Sequence, residues 1–264
     1  MQLPLSFALA SRLVLLPAVG STNDELVAKA SAEPEFSVIA TTNQTAGRGR
    51  LGRVWLSPAG KTLAVSVLLR PRLPDGQPVP TERFGWLSLL AGTAMARAVD
   101  SILTGHRVSL KWPNDVHVDG LKVSGLLAEF VPPDAVIVGA GLNLEMTADE
   151  LPTPTSTSLT LNGATAAGAA LVDLALSAYL GNLRSLYEAF LAGGADATAS
   201  GLLGEVTRAC STIGQDVHVQ LPGGDDLIGT AEGLDGSGRL IVRRRSDRQL
   251  QSVAAGDVTH LRYE

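Results

Sequence analysis

The sequence predicts an α+β protein: a mixed, mainly antiparallel sheet flanked by helices, with a small β-barrel module at its C-terminal end. Two patterns carry that reading. Short runs rich in Val, Ile, Leu and Thr are interspersed with two long stretches of helical periodicity. After residues 205–214 the texture changes to short strands separated by turn residues.

The elements follow in chain order. Residues 1–20 are mostly apolar and end in Ala18-Val19-Gly20, but no positive charge precedes the apolar run and Arg12 interrupts it. A secretory leader is therefore disfavoured, and a buried strand is expected at 13–16. Thr22 can cap a helix, Glu25 completes an S/T-x-x-E box, and Leu26, Val27 and Ala30 form its stripe. Residues 36–40 and 62–69 read as strands on either side of a loop at 41–60 dense in Gly and Arg. Residues 71–80 are a Pro/Gly surface loop. Residues 84–103 form a helix, with Trp86, Leu89, Leu90, Thr93 and Met95 on one broad face. Strands at 108–112 and 116–118 flank a Pro113-Asn114-Asp115 turn, and Asp119-Gly120 signals a hairpin. Strands at 123–131 and 135–144 and a long helix at 171–191 complete this part. Short strands at 217–219, 227–231, 240–244 and 249–254 follow, with turns at Pro222-Gly223-Gly224 and Asp235-Gly236. Their spacing suggests the barrel. The division falls into 1–209 and 210–264.

Composition narrows the function. The 264 residues, 45% hydrophobic, suffice for one large domain or a main domain with a small companion. Mean hydropathy is +0.20, yet no stretch stays apolar long enough to span a bilayer. A net charge of −5 argues against wrapping nucleic acid, so any basic cluster is local and specific. The lone Cys210 cannot form an intrachain disulfide and reads as an idle or buried thiol in a reducing, cytoplasmic setting. His106, His117, His218 and His260 lack zinc-ligand spacing, so no dedicated metal site is expected.

Four segments concentrate polar groups. Ser21-Thr22-Asn23 stands at a helix mouth, where short polar side chains either cap the helix or grip a polar ligand edge. In Gln44-Thr45-Ala46-Gly47-Arg48-Gly49-Arg50-Leu51-Gly52-Arg53-Val54-Trp55, glycines allow close backbone approach and arginines offer planar donors to phosphate or carboxylate. The alternative is a solvated or RNA-contacting loop; the flanking strands anchor it to a folded domain, and no GxxxxGK[ST] P-loop is present. Lys111-Trp112-Pro113-Asn114-Asp115 puts opposite charges at one sheet edge, and a solvated turn is the bland alternative. Lys122 opens an apolar strand beside Gly125, and Gly139-Ala140-Gly141-Leu142-Asn143 places an amide in a buried strand, where it needs partners.

In this order the segments resemble the biotin–protein ligases. The resemblance rests on Ser21-Thr22-Asn23, the GRGRxGR pattern within 44–53, KWPND at 111–115, Lys122-Val123-Ser124-Gly125 and Gly141-Leu142-Asn143. It runs from about residue 13 to 262, and Gly233, Gly238-Arg239-Leu240 and Gly256-Asp257-Val258 resemble the family's SH3-like module. It implies ATP-dependent biotinylation of a lysine on a biotin carboxyl carrier domain, through biotinyl-5′-AMP. It also implies residue roles. Ser21, Thr22, Asn23, Gln44, Gly47 and Gly125 would hold biotin, with Arg48, Gly49 and Arg50 closing over it. Lys122 would sit between the biotin carboxylate and the ATP α-phosphate, so Lys122, Arg48 and Arg50 are the candidate catalytic residues. Arg50, Arg53, Lys111, Asn114, Asp115, Asn143 and Arg262 would serve the nucleotide, and Trp55 would pack near the adenine. Mg²⁺ would arrive with ATP, assisted by Asp115. Family members often have KLAG or KMAG where this chain has KVSG, and the changed positions are expected to face the sheet. Only about 20 residues precede Ser21, which leaves no room for the helix-turn-helix domain that some members carry; a ligase without repressor function is expected. A homodimer is left open. The competing readings are a lipoate–protein ligase, whose RRxxGGG-like segment is not seen, and a non-enzymatic RNA-binding protein, which the acidic balance and 4% aromatic content oppose.

Overall fold

The computed structural model describes residues 1–221, 225–254 and 257–260. The chain runs α1 (Pro4–Phe7), β1 (Arg12–Leu15), α2 (Thr22–Lys29), β2 (Ser37–Thr41), β3 (Thr62–Leu69), α3 (Gly85–Ile102), β4 (Val108–Lys111), β5 (Asp115–Val118), β6 (Leu121–Val131), β7 (Ala135–Asn143), α4 (Gly168–Ala192), α5 (Leu202–Ala209), β8 (Asp216–Gln220), β9 (Asp226–Leu234), β10 (Leu240–Arg244), β11 (Leu250–Val253) and β12 (Asp257–His260). The first seven strands form one sheet in the order β1-β2-β3-β7-β6-β5-β4. Only β1 and β2 pair in parallel, so the sheet is mixed and mainly antiparallel, as expected.

Strand alternation gives this sheet two unlike faces. On β3 and β7, Leu63, Val65, Val67, Leu69, Val136, Val138, Ala140 and Leu142 enter the main core, together with α3 and α4. The intervening positions face α2. There Leu26 and Ala30 pack on Ile39, Leu68, Ala135 and Ile137 in a second, smaller core. Beyond the N-terminal end of α2 this face changes character, and the residues at the same alternation are Ser66, Gly139 and Gly141. Only the polar first turn of α2, Thr22 and Asn23, reaches Ser66 and Gly139, and the small side chains beneath leave a cleft. The Asp119-Gly120 turn takes positive φ at both residues (49° and 85°), as a tight two-residue hairpin requires. Asp173, buried within α4, accepts from the Leu5 and Ser6 amides and the Ser6 hydroxyl, pinning α1 to that helix.

The C-terminal strands correct the sequence reading. They form a five-stranded antiparallel sheet in the order β11-β10-β9-β8-β12, and no sheet closes into a barrel among the described residues. The expected SH3-like β-barrel is therefore an open sheet with β11 and β12 as its edges. Closure would have been one way to bury the apolar face of such short strands. This chain buries it elsewhere: Val217, Val219, Leu227, Ala231, Leu240 and Val242 belong to the same core as α3 and α4. The junction is specific. Trp86 Nε1 donates to Gly236 O (2.9 Å) and Trp112 Nε1 to Gly238 O (3.2 Å). An added Cβ at Gly85 would lie 2.5 Å from Ser237 O, so only glycine permits this approach. Cys210, buried and unoxidised, pairs with Leu110 at the crossing point. The Pro222-Gly223-Gly224 turn, Gly256 and Arg262 lie outside the described residues.

Candidate active site

The cleft of about 370 Å³ is lined by the start of α2, the 44–55 loop, the β4–β5 turn and the Gly-rich parts of β6 and β7. Ser21 is the true N-cap of α2, its hydroxyl accepting from the Asp24 amide, whereas Thr22 is already helical. The expected capping role thus moves back one residue, and Thr22 is released for other work. Its amide (2.9 Å) and hydroxyl (3.2 Å) both donate to Gln44 Oε1. Gln44 is therefore oriented, with its amide nitrogen turned the other way. An added Cβ at Gly47 would stand 2.8 Å from that nitrogen and 2.4 Å from Trp55 O, which explains glycine there.

The floor is made of glycines. Gly125 and Gly141 are register partners across β6 and β7. The Trp55 indole lies on them: an added Cβ at Gly141 would stand 2.3 Å from Trp55 Cε2, and one at Gly125 would stand 3.0 Å from Cζ3. Trp55 Nε1 is buried without a hydrogen-bond partner among the described residues. Gly139 lies under Asn23.

The loop is tied into a narrow hairpin by Trp55 N to Gly47 O (2.9 Å), Gly49 N to Arg53 O (2.7 Å) and an Arg48–Val54 bridge. Its arginines separate in function. Arg48 turns away from the cationic end and pairs with Asp24 (2.5 Å) and Glu129 (2.8 Å). The Glu129 bond is the main reason its guanidinium is raised above its ordinary pKa. Arg50 donates to Asn114 Oδ1 (3.1 Å). Asn114 is itself fixed, donating to Leu126 O (2.7 Å) while its own carbonyl accepts the Leu126 amide. Burial lowers the Arg50 pKa, opposed by Asp115 and reinforced by Arg53.

Lys111 and Asp115 are register partners across the KWPND turn. Asp115 Oδ1 lies 2.8 Å from Lys122 Nζ, and that ammonium stands 5.6 Å from the Trp55 ring centroid. Arg50, Arg53, Lys111 and Lys122 thus gather at one end of the cleft, opposite the Ser21–Gln44 end. Gln220 and Thr259 from the C-terminal sheet also line it.

One sequence expectation falls elsewhere. Asn143 is buried outside the cleft and donates to Thr157 O (2.9 Å), holding the segment after β7. Val123 and Ser124, the positions where KVSG departs from KLAG, are fully buried, and the Ser124 hydroxyl has no partner among the described residues. Three participants were not singled out from sequence: Asp24, Ser66 and Glu129. Glu129 is a lone acid within the apolar run of β6, and Ser66 a hydroxyl in the middle of an apolar strand, which were the available signals. Among the described residues no three His, Cys, Asp or Glu side chains cluster as metal ligands.

His117 adds a pH effect. Its ring is largely buried, Nδ1 faces Gly120 O (3.0 Å) and Nε2 has no partner among the described residues. Burial pulls its pKa down, more than Asp115 raises it, with Lys111 and Lys122 adding to the fall. A histidine kept neutral by folding binds fewer protons folded than unfolded, so stability falls as pH drops through the unfolded value of about 6.5. His117→Gln should therefore lose less Tm than the wild type between pH 7.5 and 5.5, measured by thermal unfolding.

Comparison with known proteins gives the family. The model of the biotin/lipoate A/B protein ligase family matches residues 16–143, and that of the biotin protein ligase C-terminal domain matches 212–261. The chain is 36% identical over 255 residues to the biotin–[acetyl-CoA-carboxylase] ligase of Mycobacterium tuberculosis, covering 95% of this chain and 90% of that protein. The chain belongs to the biotin–protein ligase family. The Aquifex aeolicus biotin protein ligase in complex with biotin and ATP superposes with a TM-score of 0.75 at 26% identity, over 96% of this chain and 100% of that one. The Leishmania major biotin protein ligase in complex with biotinyl-5-AMP gives 0.61 at 26% identity, over 93% and 99%. In this ligase each of the five motifs from Ser21 to Gly141 sends residues to one cleft: Ser21, Thr22 and Asn23; Gln44, Arg48, Arg50 and Arg53; Lys111 to Asp115; Lys122 and Gly125; and Gly141.

Proposed function

We propose that the protein adenylates biotin with ATP and transfers the biotinyl group to a lysine of a biotin carboxyl carrier domain. One observation carries this reading: the oriented Gln44 amide and the Lys122 ammonium line a single cleft, with a glycine floor between them. Biotin's polar head meets Ser21, Thr22, Asn23 and Gln44. Its carboxylate reaches the end where Lys122, Arg50, Arg53 and Lys111 gather.

The carboxylate is already a nucleophile. An oxygen of it forms a bond to the α-phosphorus as the bond to pyrophosphate breaks, giving biotinyl-5′-AMP. The protein's work is alignment and stabilisation of charge on the phosphoryl oxygens. Lys122 does most of this, held in place by Asp115; Arg50 is held by Asn114. The same carboxylate–lysine pair then stands beside the anhydride. A neutral lysine amine attacks the acyl carbon and AMP departs, while the 44–55 hairpin excludes water. Trp55 packs near the adenine. Mg²⁺ would arrive with the nucleotide, assisted by Asp115. Residues 1–209 form the catalytic part, and 210–264 supply Gln220 and Thr259 to its edge. No helix among the described residues is long and apolar enough to cross a membrane.

Incubation with ATP, Mg²⁺, biotin and a carrier domain should add one biotinyl group to the carrier, read by intact mass, with none added when ATP is omitted. ATP–pyrophosphate exchange should be stimulated by biotin. Stimulation by lipoate alone would reassign the substrate, and salt-sensitive RNA binding indifferent to biotin would overturn the reading.

A further inference from the structure

Glu129 occupies a place that neither catalysis nor simple solvation explains. It lies on β6 on the cleft face of the sheet, two residues beyond Leu127, which lines the cleft. Its carboxylate, 27% exposed, serves two partners at once. Oε1 (3.0 Å) and Oε2 (2.8 Å) accept from the Arg48 guanidinium in a two-pronged contact. Oε2 also accepts from Asn23 Nδ2 at 2.6 Å.

The second contact decides which way Asn23 faces. Asn23 is only 5% exposed, and Nδ2 also donates to Leu127 O (3.3 Å). With both amide hydrogens committed, Oδ1 must point at Ser66 and Gly139. Ser66 Oγ donates to it at 2.5 Å and lies 2.8 Å from Thr22 Oγ1. Thr22 in turn orients Gln44. A hydrogen-bonded chain therefore runs from the loop arginine through Glu129 and Asn23 to Ser66, and Thr22, which orients Gln44, stands against its end.

We propose that Glu129 is a positioning residue of the ligase: one carboxylate sets the Asn23 amide that biotin meets and tethers the Arg48 side of the flap above it. The inference rests on the proposed function for its substrate half only. A glutamine at this position would put its oxygen where Oε2 stands and still accept from Asn23, losing only one prong and the charge assistance to Arg48. A methionine removes both acceptors and so unties Asn23 as well as Arg48.

The test compares wild type, Glu129→Met, Arg48→Met and the double variant, each as the full chain. Two readouts are taken: biotin Kd by calorimetry without ATP, and amide hydrogen exchange over residues 45–55 without any ligand. Glu129→Met is expected to weaken biotin binding at least about tenfold and to speed loop exchange at least about tenfold, while exchange in α3 and α4 stays unchanged. Arg48→Met is expected to speed loop exchange similarly, and the double variant to add no further acceleration. If Glu129→Met leaves Kd within twofold, the substrate half is wrong. If loop exchange is unchanged, or the double variant accelerates it by the product of the two singles, the tether is wrong. Should Glu129→Met fail to fold, Glu129→Asp, too short to reach both partners, carries the same two expectations. A wild type that binds no biotin overturns the proposed function and the substrate half together, while loop exchange still judges the tether.

Discussion

Lys122→Met should lower the rate of biotinyl-AMP formation by about a thousandfold while changing biotin Kd by less than about tenfold, since one preorganised charged donor on a developing oxyanion is worth roughly 3–4 kcal/mol. Methionine keeps the stem that packs beside Gly125 and removes only the ammonium. The geometry argues for a transition-state role. Lys122 Nζ already satisfies Asp115 at 2.8 Å, so the pair enters the reaction with its orientation set. An ammonium shared between Asp115 and substrate gains most when negative charge moves onto the phosphoryl oxygens, and least when ATP is merely bound. Lys122→Arg should not restore the rate, because a planar fork cannot occupy the compact position between Asp115 and Trp55. Single-turnover adenylation read beside calorimetric binding separates the effects. If Kd and rate fall by the same factor, Lys122 binds substrate and nothing more.

How much of this was legible in the chain depends on range. Strands whose signal is local came out with their bounds: β3 and β10 fall where their β-branched runs predict. Short elements whose existence depends on distant partners did not. β12 has one apolar residue, Val258, at a buried position, and it forms because β8 offers it an edge. α5 is an eight-residue helix whose buried Leu202 and Val206 are too few to show a period. The barrel reading failed for the same reason. Strand spacing says how often the chain turns, not whether the last strand meets the first, and here the face that closure would have hidden joins the core that also holds α3 and α4. In the site, residue types with few bland uses were readable: the arginines, Lys122 and the glycines of β7. What escaped was orientation. Arg48 was read as closing over biotin and as catalytic beside Lys122; here its guanidinium is held by Asp24 and Glu129. Asn143 was grouped with the nucleotide, yet it holds Thr157. Spacing places a side chain on a face; only its acceptors say which way it turns.

Gly139→Ala should reduce biotin affinity on the order of a hundredfold and lower stability by about 1–3 kcal/mol, the usual range for forcing a methyl into a packed, hydrogen-bonded site. The added Cβ would stand 2.2 Å from Asn23 Oδ1 and 2.9 Å from its Cγ, distances no real pair of atoms keeps. Asn23 is buried and held by Leu127 O, Glu129 and Ser66, so it cannot swing into solvent as a surface side chain would. Gly141 makes the contrast. Its neighbour is the Trp55 indole on a surface loop, whose N–H has no partner to lose, and Gly141→Ala should cost less stability for a similar overlap. The two losses at Gly139 have different physical origins and can be separated. Adding Asn23→Ala removes the atoms in conflict, so urea unfolding of the double variant should recover part of the lost stability. Biotin affinity should not recover, because the amide that meets the substrate is gone. If affinity returns with stability, Gly139 acts only through packing and Asn23 takes no part in binding.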